Sequence, residues 1–131
     1  MKVLVTGAEG QLGYDVCKVL SARNMDHIGA GRKEFDITNK ETTNDYIVSY
    51  HPDVVIHCSA WTRVDQAEDE PESVKAVNAV GTQNVAVVCN KIGAKMLYIS
   101  TDYVFPGRGT RFYEPEDSTG PLGVYGATKL A

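Results

Sequence analysis

Residues 2–6, Lys-Val-Leu-Val-Thr, run straight into a glycine turn, Gly7-Ala8-Glu9-Gly10-Gln11-Leu12-Gly13. Beyond it Leu12, Val16, Val19 and Leu20 recur at helical spacing. A short strand that is apolar at nearly every position reads as buried on both faces, as in a parallel sheet. Glycines let the backbone turn tightly and approach an anion with no Cβ in the way. The helix that follows offers free N–H groups and the positive end of its dipole. Strand, glycine turn and helix in this order predict a parallel α/β sheet with a pyrophosphate site at Gly7 and Gly10.

The rest of the chain repeats the alternation. Strands are expected at His27–Gly31, Glu34–Ile37, Val54–Cys58 and Met96–Ser100, with Arg23-Asn24 stopping the first helix. Thr38-Asn39-Lys40-Glu41 has the spacing of a capping box and predicts a helix to about Tyr50, broken by His51-Pro52-Asp53. After a polar, acidic stretch at 65–72, Val74, Val77, Val85, Val88 and Ile92 keep near-helical spacing, and Gly93 supplies a C-cap. Residues 102–120 are rich in Gly, Pro and charge and read as a long loop, and a further helix begins at Val124. This order predicts an α/β, Rossmann-like doubly wound parallel sheet with helices on both faces and right-handed crossovers. Residues 1–131 form one dinucleotide-binding domain in this reading. The sequence stops just inside a helix, so the expectation is a chain truncated before a carboxy-terminal substrate domain.

Composition removes several classes of function. The 131 residues are 43% hydrophobic and 23% charged, which suits one folded domain rather than a disordered segment. No apolar run approaches the roughly 20 residues of a membrane span. Formal net charge is −4, with no Lys/Arg-dense stripe, which argues against nucleic acid as a partner. Cys17, Cys58 and Cys89 are odd in number and far apart, predicting buried free thiols and a reducing, cytoplasmic setting. His27, His51 and His57 lack ligand spacing, so no metal site is expected, and His57 reads as satisfied within the sheet.

The end of the second strand selects the dinucleotide. An acid there binds the ribose 2′-hydroxyl of NAD, whereas an arginine accommodates the 2′-phosphate of NADP. The sequence is Gly29-Ala30-Gly31-Arg32-Lys33, with Glu34 and Asp36 only later. This favours NADP(H), with Arg32 as phosphate partner, over NAD(H). Tyr125 and Lys129 are four residues apart, hence on one face of a helix. A nearby ammonium stabilises a phenolate, and such a tyrosine can protonate a carbonyl oxygen as hydride reaches its carbon. Ser100, Thr101 and Asp102 leave the last strand at its carboxyl end, where α/β sheets bind ligands. They are placed either to orient a substrate or to cap a turn. Ser59, Ala60, Trp61 and Thr62 leave the preceding strand by the same rule. The small residues admit a cofactor close to the backbone, and Trp61 either covers the nicotinamide side or simply packs.

The G-x-x-G-x-x-G spacing resembles that of the extended short-chain dehydrogenases/reductases. The stretches VTGAEGQLG, HPDVVIHCSAWTRVDQAEDEPE, VNAVGTQNVA, YISTDYVFPG and PLGVYGATKLA together resemble the amino-terminal half of the dTDP-4-dehydrorhamnose reductase family. That resemblance implies NADPH-dependent reduction of a 4-keto nucleotide sugar in dTDP-rhamnose and polysaccharide biosynthesis. It implies Thr101, Tyr125 and Lys129 as catalytic residues and Thr101 with Asp102 as substrate contacts. It assigns Gly10, Gln11 and Leu12 to the cofactor turn and Asp36 and Ile37 to the adenine. It assigns Ala60, Trp61 and Thr62 to the ribose and nicotinamide side, and Ile99 to a contact near the nicotinamide. Asn78 falls in an Asn-x-x-Gly-Thr motif with a structural role. Magnesium and a homodimer enter only as properties of some intact members. Without the family's second half, residues 1–131 alone are expected to lack turnover. Two other readings share these residues: a non-catalytic NADP-binding subunit of the methionine adenosyltransferase type, and another nucleotide-sugar reductase or epimerase.

Overall fold

The computed structural model describes all 131 residues, Met1–Ala131. Four strands, β1 (Val3–Thr6), β2 (His27–Ala30), β3 (Val54–His57) and β4 (Lys95–Tyr98), form one parallel sheet in the order β2-β1-β3-β4. In register, Thr6, Ala30, His57 and Tyr98 close the four strands at one level. Their carboxyl ends therefore share one rim, and the order reverses direction there between β1 and β3, the place where such sheets bind ligands.

Six helices complete the fold: α1 (Gln11–Ala22), α2 (Lys40–Tyr50), α3 (Val64–Asp69), α4 (Pro71–Lys75), α5 (Thr82–Ile92) and α6 (Val124–Leu130). Side chains alternate across β1, so the sheet has a core on each face. Leu4 points to one, with Val55, Ile47 of α2, and Val85 and Val88 of α5. Val3 and Val5 point to the other, against Leu20 of α1. Each such fully buried aliphatic side chain contributes about 1.5–3 kcal/mol by leaving water. The α1 face is not covered as far as β4, where Leu97 is 53% exposed. No helix is long and apolar enough to cross a membrane.

Several local expectations need correction. Glu34–Ile37 is not a strand but part of a turn, in which the amides of Glu34 and Phe35 donate to the Gly31 carbonyl. Phe35 and Ile37 both turn into the core, and this spacing of two imitates a strand. The cap of α2 is Asn39 rather than Thr38. Its side chain accepts from the amides of Glu41 and Thr42, while Thr38 spends its hydroxyl on Asp36. The acidic stretch contains a helix, α3, hidden by its polarity and shortness. The run from Glu72 to Ile92 is helical throughout but widens into a π turn at Ala76–Gly81 between α4 and α5. A short 3-10 turn at Asp102–Val104 opens the long loop. Of the three free thiols only Cys89 is fully buried; Cys17 and Cys58 are half-buried.

Candidate active site

The turn after β1 is shaped by what it must avoid. Gly7 has φ of +66°, and a Cβ there would lie 2.7 Å from the Ser59 amide. A Cβ on Gly13 would overlap the Gly7 carbonyl. The turn therefore packs directly on the loop after β3 and on the start of α1. Gly10 caps α1 without a side-chain bond, which leaves amides of the first turn available to an anion.

Two cavities meet at this turn, of about 440 and 430 Å³. Gly7, Gly10, Cys58 and Ala60 line both. The first extends over the end of β2 and includes Arg32, Asp36, Ile37 and Ser59. The second extends toward β4 and includes Gln11, Leu12, Thr62, Ile99, Tyr125 and Lys129. Together they form an elongated cleft with a backbone cradle at its centre, and side chains at the cradle would fill it. A dinucleotide fits that arrangement: pyrophosphate at the glycines, with a nucleoside on either side.

Three expected site residues do not line the cleft. Thr101 accepts a bond from the Tyr103 amide and donates to Asp102, so this pair shapes the 3-10 turn. Trp61 lines neither cavity, and its indole N–H is buried without a partner. Its backbone is clamped by Asn78, whose side chain accepts from the Trp61 amide at 2.8 Å and donates to its carbonyl at 3.1 Å.

Asn78 also holds the helix of Tyr125. Its second amide hydrogen goes to the Thr128 hydroxyl at 3.2 Å, and that hydroxyl donates to the Tyr125 carbonyl. The π turn carries the fully buried Asn78 into this position. The other end of α6 is set by Glu68 of α3, whose carboxylate accepts from the Val124 amide at 2.7 Å. Close approach is permitted by Gly126, where a Cβ would overlap the Tyr103 carbonyl. The Tyr103 and Tyr125 rings meet edge to face at 5.6 Å.

Lys129 is 6% exposed, and burial lowers its pKa. Its ammonium sits 4.2 Å from the centroid of the Tyr98 ring, a cation–π contact. The Tyr98 hydroxyl donates to the Lys129 carbonyl at 3.1 Å. Burial, and then the neighbouring Tyr125, raise the Tyr98 phenol. The Tyr98 ring also stacks with His57, ring centroids 6.2 Å apart. His57 pairs with the hydroxyls of Thr6 at 2.8 Å and Thr82 at 3.2 Å. Burial, and then the charge of Lys129, push its pKa down to about 4. It is the satisfied sheet histidine the sequence predicts. Tyr98 and Glu68 fall within stretches that carry the family resemblance, but their contacts with Lys129 and Val124 are visible only in the fold.

The family profile described as RmlD substrate binding domain matches residues 1–131. The chain belongs to the dTDP-4-dehydrorhamnose reductase family. The dTDP-4-dehydrorhamnose reductase of Streptomyces griseus is 44% identical over 128 residues, 98% of this chain and 42% of that protein. The crystal structure of dTDP-4-dehydrorhamnose reductase from Bacillus anthracis in complex with NADP is 41% identical, with a TM-score of 0.95 over 99% of this chain and 47% of that one. The Clostridium acetobutylicum family member gives 0.96 at 39% identity, over 99% and 46%. This chain thus spans less than half the length of these relatives.

Proposed function

We propose that the protein carrying these residues reduces the 4-keto group of dTDP-4-dehydro-L-rhamnose to give dTDP-L-rhamnose, with NADP(H) preferred and NAD(H) admitted. The observation that carries this reading is Tyr125 and Lys129 lining one cavity with the glycine turn and the end of β4. Gly7, Gly10, Gln11 and Leu12 would hold the pyrophosphate through backbone amides. Arg32, Asp36 and Ile37 would hold the adenosine end. Ala60, Thr62 and Ile99, which line the second cavity, would bound the nicotinamide side, and Ser59, which lines the first, would face the adenosine side. Bound NADPH would supply hydride to the substrate carbon.

Tyr125 donates its phenolic proton to the substrate carbonyl oxygen. Lys129, held over Tyr98, stabilises the phenolate left behind and reaches toward the cofactor ribose. Thr101 would polarise the carbonyl and Asp102 would contact the sugar after the turn at 102–104 rearranges around substrate. Family membership supports the sugar and its nucleotide.

The test is NADPH oxidation by the polypeptide carrying this segment, against a panel of dTDP-4-keto sugars. Tyr125→Phe should lower turnover by about 10²–10⁴ while leaving cofactor affinity nearly intact. Near wild-type turnover in that variant would remove Tyr125 from the chemistry. NADPH binding with no turnover on any sugar would favour a binding subunit.

A further inference from the structure

The acid that an NAD-type site uses at the end of its second strand is absent from β2, yet the fold delivers one there from another element. Glu9, in the turn after β1, lays its side chain across the end of β2. A Cβ on Gly31 would lie 2.8 Å from Glu9 Cδ and 2.9 Å from Oε2. Glycine at position 31 is what makes room for that carboxylate. Glu9, Gly31 and Arg32 line the same cavity.

The other nearby acids are already engaged: Glu34 accepts from the Gly31 amide at 2.6 Å, and Asp36, which lines the same cavity, accepts from the amide and hydroxyl of Thr38. Glu9 has only a loose ion pair, with Lys33 Nζ at 3.8 Å, and the two side chains are 57% and 84% exposed. Such a pair contributes little, so Glu9 is free to take another partner. One cavity thus presents a carboxylate and a guanidinium at the position where an acid recognises a ribose 2′-hydroxyl and an arginine a 2′-phosphate.

We infer that Glu9 is a specificity-determining residue for the dinucleotide. It accepts a hydrogen bond from the 2′-hydroxyl of NAD(H) and repels the 2′-phosphate of NADP(H), while Arg32 acts in the opposite sense. The preference for NADP(H) is the difference between these two effects. The inference rests on reading the cleft as a nicotinamide-dinucleotide site.

Isothermal titration of the protein with NADPH and with NADH tests both statements. Glu9→Gln keeps the size of the side chain and removes its charge. It should raise the NADPH-over-NADH affinity ratio about fivefold, the size of one charge repulsion near a solvated surface. Glu9→Lys should raise it further, and added salt should shrink the Glu9→Lys effect. If both cofactors bind and the ratio stays within about twofold in both variants, Glu9 does not set specificity and the cleft reading stands. If wild-type protein binds neither dinucleotide, the cleft reading and this inference fall together.

Discussion

Glu68 and Val124 are 56 residues apart in sequence, and the Glu68 carboxylate accepts the Val124 amide at 2.7 Å. The acidic stretch before α4 is therefore the N-terminal cap of the helix bearing Tyr125 and Lys129. A seven-residue helix has little stability of its own, so its ends matter. Glu68→Ala should cost about 1 kcal/mol, as loss of a capping side chain does. Amide hydrogen exchange should then accelerate at residues 124–130 and stay unchanged in β1 and β3. Equal protection of α6 in wild type and variant would show that other contacts position it.

Asn78 uses all three of its side-chain bonds to join the Trp61 loop to α6. Asn78→Ala leaves the Trp61 backbone groups without these partners in a poorly solvated place. The expected destabilisation is about 2–4 kcal/mol. Urea denaturation followed by circular dichroism measures it. A loss below about 0.5 kcal/mol would mean that water replaces the amide at no cost.

His57 makes stability depend on pH. The unfolded imidazole gains its proton near pH 6.5, the folded one only near about 4. Between these values the unfolded chain binds more protons, so stability falls as pH drops through this window. The full loss from this residue is roughly 3 kcal/mol and is complete below the folded value. Denaturation midpoints measured from pH 7 to pH 4 should show the decline. His57→Gln should flatten it, and an unchanged pH slope in that variant would assign the effect to other groups.

Arg32 lines the cavity at the end of β2 and is exposed. Arg32→Ala should weaken NADPH about tenfold or more and NADH much less, since a charge-assisted bond to phosphate is lost only for the former. Titration of both cofactors against wild type and variant decides this. Equal losses would show that Arg32 does not face the 2′-phosphate.

Local patterns in the sequence were sufficient for the four strands and the glycine turn. The apolar runs at residues 3–6 and 54–57 allow few alternatives to buried parallel strands, and Gly7 and Gly13 mark the crossover because a Cβ there collides with backbone. The four-residue spacing of Tyr125 and Lys129 put them on one helical face, since that follows from the helix repeat alone. Elsewhere other contacts, some remote and some between near neighbours, decided the outcome. Phe35 and Ile37 alternate like a strand but plug a core built by α2 and α5. Asn39 took the cap because Asp36 had captured Thr38. Of the two uses the sequence allows Thr101 and Asp102 at the strand end, the structure shows the turn contacts. The tertiary structure alone decided that Glu68 caps a distant helix, that Asn78 ties the Trp61 loop to it, that Tyr98 lies under Lys129, and that Glu9 reaches the end of β2. Each of these pairs is remote or patternless in sequence, and a hydrogen bond or charge contact of this kind exists only once the sheet has brought its strand ends to one rim.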